Sequence, residues 1–445
     1  MSPTSASPEV ATAIVRRLRE AGHEAYWVGG CVRDLLRGVA PGDYDIATSA
    51  RPAEVGALFP RTIPVGISFG VMLVVEDGCP YEVATYRRDE LYEDGRRPSR
   101  IRFADARQDV ERRDFTINGL LMDPLSGAVI DYVEGKRDIE SRVIRTIGAP
   151  DARFSEDYLR MLRAVRFAAT LNFDIDPATE TAISRHANKI GRISAERIRD
   201  ELTGLLTRGG ARRGLEILAA TGLLRELLPE VETLRDVLQP VRFHPEGDVW
   251  EHTLRMLELL PLGIAGETEG RLAWAVLLHD IGKTGTRSED ELGVHFYGHV
   301  RRSREMAEAI LRRLRFGNAD LEVILALVEG HMQFMHVSDM RPNRLKRFLR
   351  MPHFDIHLEL HRLDCLGSHG LMDNHDYCLA KLAEMDGEQL HPPRLLNGRD
   401  LIAIGFAPGP RMGEILRAVE DAQLDGEIKT ADEARSFVRR WSICH

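Results

Sequence analysis

Short apolar or alternating runs dominate the first third of the chain, and helical periodicity dominates the rest. Ala25–Val28, Tyr44–Ala47, Val71–Val75, Tyr81–Thr85 and Ile101–Phe103 are apolar or alternate over lengths suited to strands. Helical spacing lies between them at Pro8–Glu20, Arg33–Arg37 and Pro52–Phe59. From Ser155 onward a period near 3.6 takes over. It runs through Ser155–Thr170, Ser194–Leu206, Leu215–Ala220, Trp250–Leu260, Arg271–His279, Val300–Leu314, Leu321–His331 and Asn343–Phe348. The pattern predicts an α+β protein, with a small mixed-sheet head over residues 1–150 and an all-helical body behind it. No repeat of 20–50 residues is visible, which excludes a solenoid.

Composition bounds this picture. The chain has 445 residues, 43% hydrophobic and 29% charged, as expected of several folded domains. No apolar run approaches the roughly 20 residues that span a bilayer, and the first residues lack a signal-peptide core. Five cysteines, at 31, 79, 365, 378 and 444, show no CxxC spacing. A cytoplasmic, reduced protein with no membrane partner is the expectation. The net charge of −9 argues against a nucleic-acid partner only as an average. Residues 151–213 are net +3 and 301–350 net +5, while 251–300 and 351–400 are net −4 and −5. Of 60 basic residues only six are lysine. Gene base composition accounts for such a bias, and so does the fit of the arginine fork to phosphate and base edges, so position has to decide.

Three local patterns carry chemistry in the head and neck. Tyr26-Trp27-Val28-Gly29-Gly30-Cys31-Val32-Arg33-Asp34 reads as a strand, a glycine turn and a helix start, where unpaired backbone N–H groups can receive an anion and Arg33 can reach it. Gly42-Asp43-Tyr44-Asp45-Ile46 places two carboxylates two residues apart, on one face of a strand, an arrangement suited to Mg²⁺. Either piece alone is also compatible with an ordinary turn or a solvated loop. Arg112-Arg113-Asp114-Phe115-Thr116-Ile117-Asn118-Gly119 reads either as a capped helix with a charged first turn, or as an arginine fork on phosphate with Asp114 accepting from a ribose hydroxyl. Glu156–Phe167 reads as one amphipathic helix, with Tyr158, Leu162 and Val165 on the apolar stripe and Asp157, Arg160 and Arg163 on a polar one. That polar stripe suits i,i+3 salt bridges, and it equally suits reading the edge of cytosine or adenine.

Taken in order, GGCVRD, GDYDIATSA, the Arg-rich loop Arg87–Arg100, RRDFTING and EDYLR resemble the successive motifs of the bacterial class II tRNA nucleotidyltransferase and poly(A) polymerase family. The family's pattern normally ends in Asn-Ala where this chain has Asn118-Gly119. The resemblance implies a polymerase β-like nucleotidyltransferase head in which Asp43 and Asp45 are catalytic and hold Mg²⁺. It implies that Gly30, Arg33, Arg113 and Asp114 bind the nucleotide. It makes Glu156, Asp157 and Arg160 the EDxxR amino-acid template that selects the base, with Arg163 and Arg166 on the phosphate side. The partners are then tRNA, CTP and ATP, and the reaction is template-independent addition of CCA, or of its terminal A. The loop at 87–100 favours completion of the terminal adenosine. Poly(A) addition is the alternative within the family.

The body carries a second constellation: His252, adjacent His279-Asp280, His299, His331 and Asp364, with Lys283 close by. A lone histidine on an apolar face is usually packing, but this order of donors can surround one or two divalent metals. It resembles the HD phosphohydrolase superfamily, which implies Mn, Ni, Co, Fe or Mg at this site and hydrolysis of 2′,3′-cyclic or terminal phosphates. The expected division is a head over 1–150, a helical neck over 151–240, an HD-type domain over 241–385 and a helical tail over 386–445. Thr430-Ala431-Asp432-Glu433 should cap the last helix of that tail.

Overall fold

The computed structural model describes residues 6–66, 70–92, 98–242, 244–261, 267–291, 293–385, 390 and 392–444. It divides into two compact units: residues 1–232 with 312–316, and residues 233–311 with 317–445.

In the first unit the strands are β1 (Ala25–Val28), β2 (Asp45–Thr48), β3 (Thr62–Gly66), β4 (Val71–Glu76), β5 (Cys79–Thr85), β6 (Arg87–Tyr92), β7 (Pro98–Phe103), β8 (Leu120–Met122) and β9 (Val129–Asp131). Seven of them form one sheet in the order β3-β4-β5-β2-β1-β8-β9. Only the β2–β5 pairing is parallel, so the sheet is mixed as expected. Strand β5 shows the alternation that makes a half-buried strand. Cys79, Tyr81, Val83 and Thr85 are buried while Pro80 and Glu82 face out. The helix Pro8–Glu20 starts where Ser7 Oγ accepts the Val10 N–H, and it buries Ala11, Ile14, Val15 and Leu18.

Three local expectations need correction. The segment 87–100 is not a loop throughout: β6 and β7 pair antiparallel from Arg87↔Phe103 to Tyr92↔Pro98, and residues 93–97 lie outside the described residues. Asp43 precedes β2 instead of lying on it, and Asp45 is the first residue of that strand. The single helix expected over Glu156–Phe167 is two. One spans Pro150–Glu156 and the next Leu159–Leu171, with Asp157 extended between them (φ −153°, ψ 105°). Its carboxylate accepts the Leu159 N–H at 3.1 Å, the cap-like local bond that aspartate offers in competition with continued helix. The apolar period runs on across the break, so periodicity could not reveal it.

The second unit is built from helices, including Val249–Glu258, Glu267–Leu278, Asn318–Gly330, Phe354–Gly367 and Pro410–Leu424. It is not wholly helical, because Ser288–Asp290 and Gly293–His295 pair antiparallel. Trp274, Leu278, Ile324 and Leu363 lie in its core. The Thr430–Glu433 capping box forms. Thr430 Oγ1 accepts the Glu433 N–H, and Glu433 accepts the Thr430 N–H. No helix among the described residues is long and apolar enough to cross a membrane.

Candidate functional site

Sheet register assembles the head site. Val28 pairs with Asp45 across β1 and β2, so the Gly29-Gly30 turn leaving β1 stands beside the Asp43–Asp45 segment entering β2. Gly29 has φ 77° and ψ −128°, a backbone state that a side chain strongly disfavours. The turn opens the helix Gly30–Leu36, whose first amide groups are free to receive an anion. A Cβ on Gly29 would stand 3.6 Å from Arg113 Nη1, and one on Gly30 would stand 3.7 Å from Arg33 Nη2. Gly30, Arg33 and Arg113 therefore converge.

Strand β5 adds a carboxylate that sequence reasoning missed. Ile46 pairs with Val83, which sets outward-facing Glu82 next to Asp45. Burial first, then the Glu82 and Asp43 charges, push the Asp45 carboxyl up to about 7, with Arg113 pulling the other way. A half-buried carboxylate destabilised by two others is the electrostatic condition a divalent cation relieves. The sequence signal was present in the alternation of YEVAT, but only the pairing of β5 with β2 gives Glu82 its neighbours.

Other head and neck residues are already partnered. Arg33, 8% exposed, donates to Asp34 through Nε and Nη2 and to Asn118 Oδ1 through Nη1 at 2.8 Å. Arg113 Nη2 donates to buried Asp109 at 3.0 Å, while its Nε is buried without a hydrogen-bond partner. Asp114 accepts from Arg163 Nε at 2.8 Å and from the Phe115 N–H. Burial pushes its carboxyl up, but Arg163 and Arg160 more than offset this and leave it below its ordinary value. Glu201 accepts from both Arg163 and Arg166, and the guanidinium groups of Arg33, Arg163 and Arg166 surround the Phe167 ring at 5.4, 5.3 and 4.4 Å. The proposed template pair does not meet directly. Asp157 accepts from Arg197 at 2.6 Å, while Arg160 donates to Glu156 and to the carbonyls of Arg153 and Arg112.

In the second unit all six histidine and aspartate residues of the expected constellation come together. The His279, His299 and His331 Nε2 atoms lie 3.2, 3.5 and 3.7 Å from the Asp280 carboxylate, and His252 Nε2 lies 3.1 Å from Asp364 Oδ1. His279, His299 and His331 each place Nδ1 within 2.8 Å of the backbone carbonyl three residues earlier. That bond fixes the tautomer with a lone pair on Nε2, facing the centre. Those three Nε2 atoms and Asp280 Oδ1 are buried with no aligned hydrogen bond, an orphaned polar set suited to metal ligation. Burial pushes His331 down to about 4. At His252 the Asp364 and Glu246 carboxylates outweigh burial and raise it to about 9. Lys283 Nζ bonds Asp280 at 2.6 Å and Gln239 at 2.7 Å. The centre opens into a cavity of about 750 Å³ that Lys283, Phe296, Tyr297 and Met335 help to line.

Family models match four stretches: the poly A polymerase head domain over residues 25–145, a probable RNA and SrmB-binding site of polymerase A over 172–234, an HD domain over 249–354, and a putative tRNA nucleotidyltransferase domain 2 over 391–437. A CCA-adding enzyme of Geobacillus kaustophilus is 48% identical over 231 residues, 51% of this chain and 57% of that protein. Matches of this higher identity thus span little more than half of such relatives. The CCA-adding enzyme of Bacillus cytotoxicus is 33% identical over 443 residues, 97% of both chains. Among solved structures, the Bacillus stearothermophilus CCA-adding enzyme in complex with CTP superposes with a TM-score of 0.73 at 30% identity, covering 100% of this chain and 99% of that one. The Thermotoga maritima CCA-adding enzyme complexed with tRNA shares the fold, with a TM-score of 0.59 at 20% identity over 97% of this chain and 94% of that one.

Proposed function

This chain belongs to the CCA-adding enzyme family, which it matches over 97% of a relative's length, and on that premise we propose that it adds CCA to tRNA 3′ ends from CTP and ATP. The observation that carries the reading is the convergence of the Gly29-Gly30 turn, Arg113 and the Asp43–Asp45–Glu82 carboxylates at the end of one sheet. Asp43 and Asp45, with Glu82 beside them, are the residues that would hold Mg²⁺. An ion held there would supply activation of the primer 3′-hydroxyl and neutralisation of charge at the transferred phosphoryl group. The chain's own residues do the remaining work. The Gly30 turn and Arg113 receive the triphosphate, Arg33 holds Asn118 and the neighbouring Asp114 side chain in place, and Arg163 fixes Asp114 on the ribose side. Base selection by Asp157 and Arg160 requires their present contacts with Arg197 and Glu156 to give way when a nucleotide enters.

The test offers three RNAs: tRNA lacking CCA, tRNA ending in CC, and a generic RNA. Each is extended with CTP, ATP or both, and the ends are sequenced. CCA on the first and A on the second support the reading. Extension of the second alone indicates A addition, and long adenosine tails on generic RNA indicate poly(A) polymerase. Asp45→Ala should abolish addition while tRNA binding survives.

A second activity is favoured by the orphaned histidine and aspartate atoms around Asp280: hydrolysis of phosphoesters at the HD centre. His252, His279, Asp280, His299, His331 and Asp364 would hold one or two of Mn²⁺, Ni²⁺, Co²⁺, Fe or Mg²⁺. Asp280→Ala should abolish hydrolysis of 2′,3′-cyclic nucleotides and leave addition intact. The four-part division at residues 150, 240 and 385 is likewise our proposal, supported by the spans of the family matches. A cytoplasmic location is proposed as well, supported by four buried free thiols, those of Cys31, Cys79, Cys365 and Cys378.

A further inference from the structure

Three histidines of the HD centre are oriented by the main chain, and the fourth is not. His279, His299 and His331 each set Nδ1 against the carbonyl three residues earlier on their own element. His252 sits inside the helix Val249–Glu258, where that carbonyl is taken up by the helix's own hydrogen bonding. Its Nδ1 instead lies 2.8 Å from Glu246 Oε1, while Nε2 faces Asp364 at 3.1 Å; both nitrogens are buried, and neither contact is an aligned hydrogen bond. The Glu246 side chain is fully buried, as is His252. His244 links Glu246 and His252. His244 Nδ1 lies 2.9 Å from the same carboxylate oxygen, and the His244 ring packs edge-on against His252 with centroids 5.0 Å apart. Two residues beyond Glu246, Asp248 caps the helix, accepting the Glu251 N–H at 2.8 Å and the Asp236 N–H at 2.9 Å. The loop bearing Glu246 is thus tied to the helix bearing His252.

We infer that Glu246 is a positioning residue for the metal centre: its carboxylate, facing Nδ1, keeps His252 as the Nδ1–H tautomer and so presents the Nε2 lone pair to a divalent cation shared with Asp364. This rests on the reading of the HD centre as a metal site and assigns part of it to a residue outside the donor order seen in the sequence. A carboxylate behind a ligating imidazole fixes the tautomer and the ring plane, and it makes the nitrogen a stronger donor than a backbone carbonyl does. His252 is then the strongest imidazole donor of the four.

The experiment measures Co²⁺ binding to the full-length protein by calorimetry and by the visible absorption of the bound ion. It compares wild type, Glu246→Gln, Glu246→Ala and, as control, Asp280→Ala. Removing an outer carboxylate of this kind lowers metal affinity by about 10–100-fold. The expected order of affinity is wild type, then Glu246→Gln, then Glu246→Ala. Glutamine keeps an acceptor behind Nδ1 and loses the charge, so it should partly rescue affinity and shift the absorption bands. A merely structural role would change melting in EDTA and leave those bands in place. Should alanine prevent folding, the glutamine variant carries the test. Wild-type affinity and spectrum in both Glu246 variants would overturn the inference while Asp280→Ala, having lost the ion, upholds the centre. Asp280→Ala binding Co²⁺ as wild type does would overturn the metal-site reading, and the inference with it.

Discussion

Replacing Asp45 by asparagine should stabilise the head and abolish nucleotide addition together. The Asp45 carboxyl, half-buried beside the Glu82 and Asp43 carboxylates, is pushed up to about 7 from an ordinary 3.8. Between those values the unfolded chain has released a proton that the folded head still holds. Stability therefore falls as pH rises through this window, the reverse of a salt-bridged aspartate. The separation corresponds to about 4 kcal/mol, expressed in full above pH 7 and absent below pH 4. Asparagine keeps the shape and removes the charge. In EDTA the variant should therefore exceed wild type by about 4 kcal/mol at pH 8 and by about 2 kcal/mol at pH 5.5. Hydrogen exchange of the β1 and β2 amides reads this locally, because a chain of two compact units need not unfold in one step. Saturating Mg²⁺ should remove the wild-type deficit at pH 8 and leave the variant unchanged. A gap that does not widen from pH 5.5 to pH 8 would refute the claim that burial and carboxylate repulsion set the electrostatics of this site.

Two further predictions concern packing and charge in the same unit. Gly119 stands where the family's pattern normally has alanine, and a Cβ there would lie 2.7 Å from Val133 Cγ2, 3.0 Å from Ile147 Cδ1 and 3.2 Å from Val110 Cγ1. Gly119→Ala should lower stability by about 1–3 kcal/mol in thermal denaturation, and Val133→Ala in the same chain should recover part of the loss; an unchanged midpoint would show that Val133 simply yields. Arg163→Ala leaves the Asp114 carboxylate buried without its main partner. It should destabilise by about 2–3 kcal/mol, less than a fully buried pair because a third of the Arg163 side chain meets water. Adding Asp114→Asn should reduce that loss, and strictly additive losses in the double variant would show that the two groups are not coupled.

What the sequence by itself determined is what is local along the chain. The Gly-Gly turn, the Asp-x-Asp pair, the RRDFTING run and the adjacent His279-Asp280 each lie within a few residues, so turn chemistry and spacing reveal them. Strand and helix periodicity likewise located β1, β4, β5 and body helices such as Val249–Glu258, His299–Arg313 and Asn318–Gly330 to within a few residues, while Phe354–Gly367 and Pro410–Leu424 were not read from it. Tertiary structure decided the rest. Glu82 joins Asp45 because β5 runs parallel to β2 at the Ile46↔Val83 register, a pairing between segments more than thirty residues apart. Glu246 reaches His252 because the loop ahead of the helix Val249–Glu258 turns this one side chain inward, which no periodicity encodes. The break at Asp157 went unseen because the apolar stripe serves two consecutive helices as well as one. A short aspartate side chain, capping Leu159 and pairing with Arg197 on a distant helix, tips the balance there. Local spacing proposes which groups can do chemistry, while burial and long-range pairing decide which charges face one another and at what free energy.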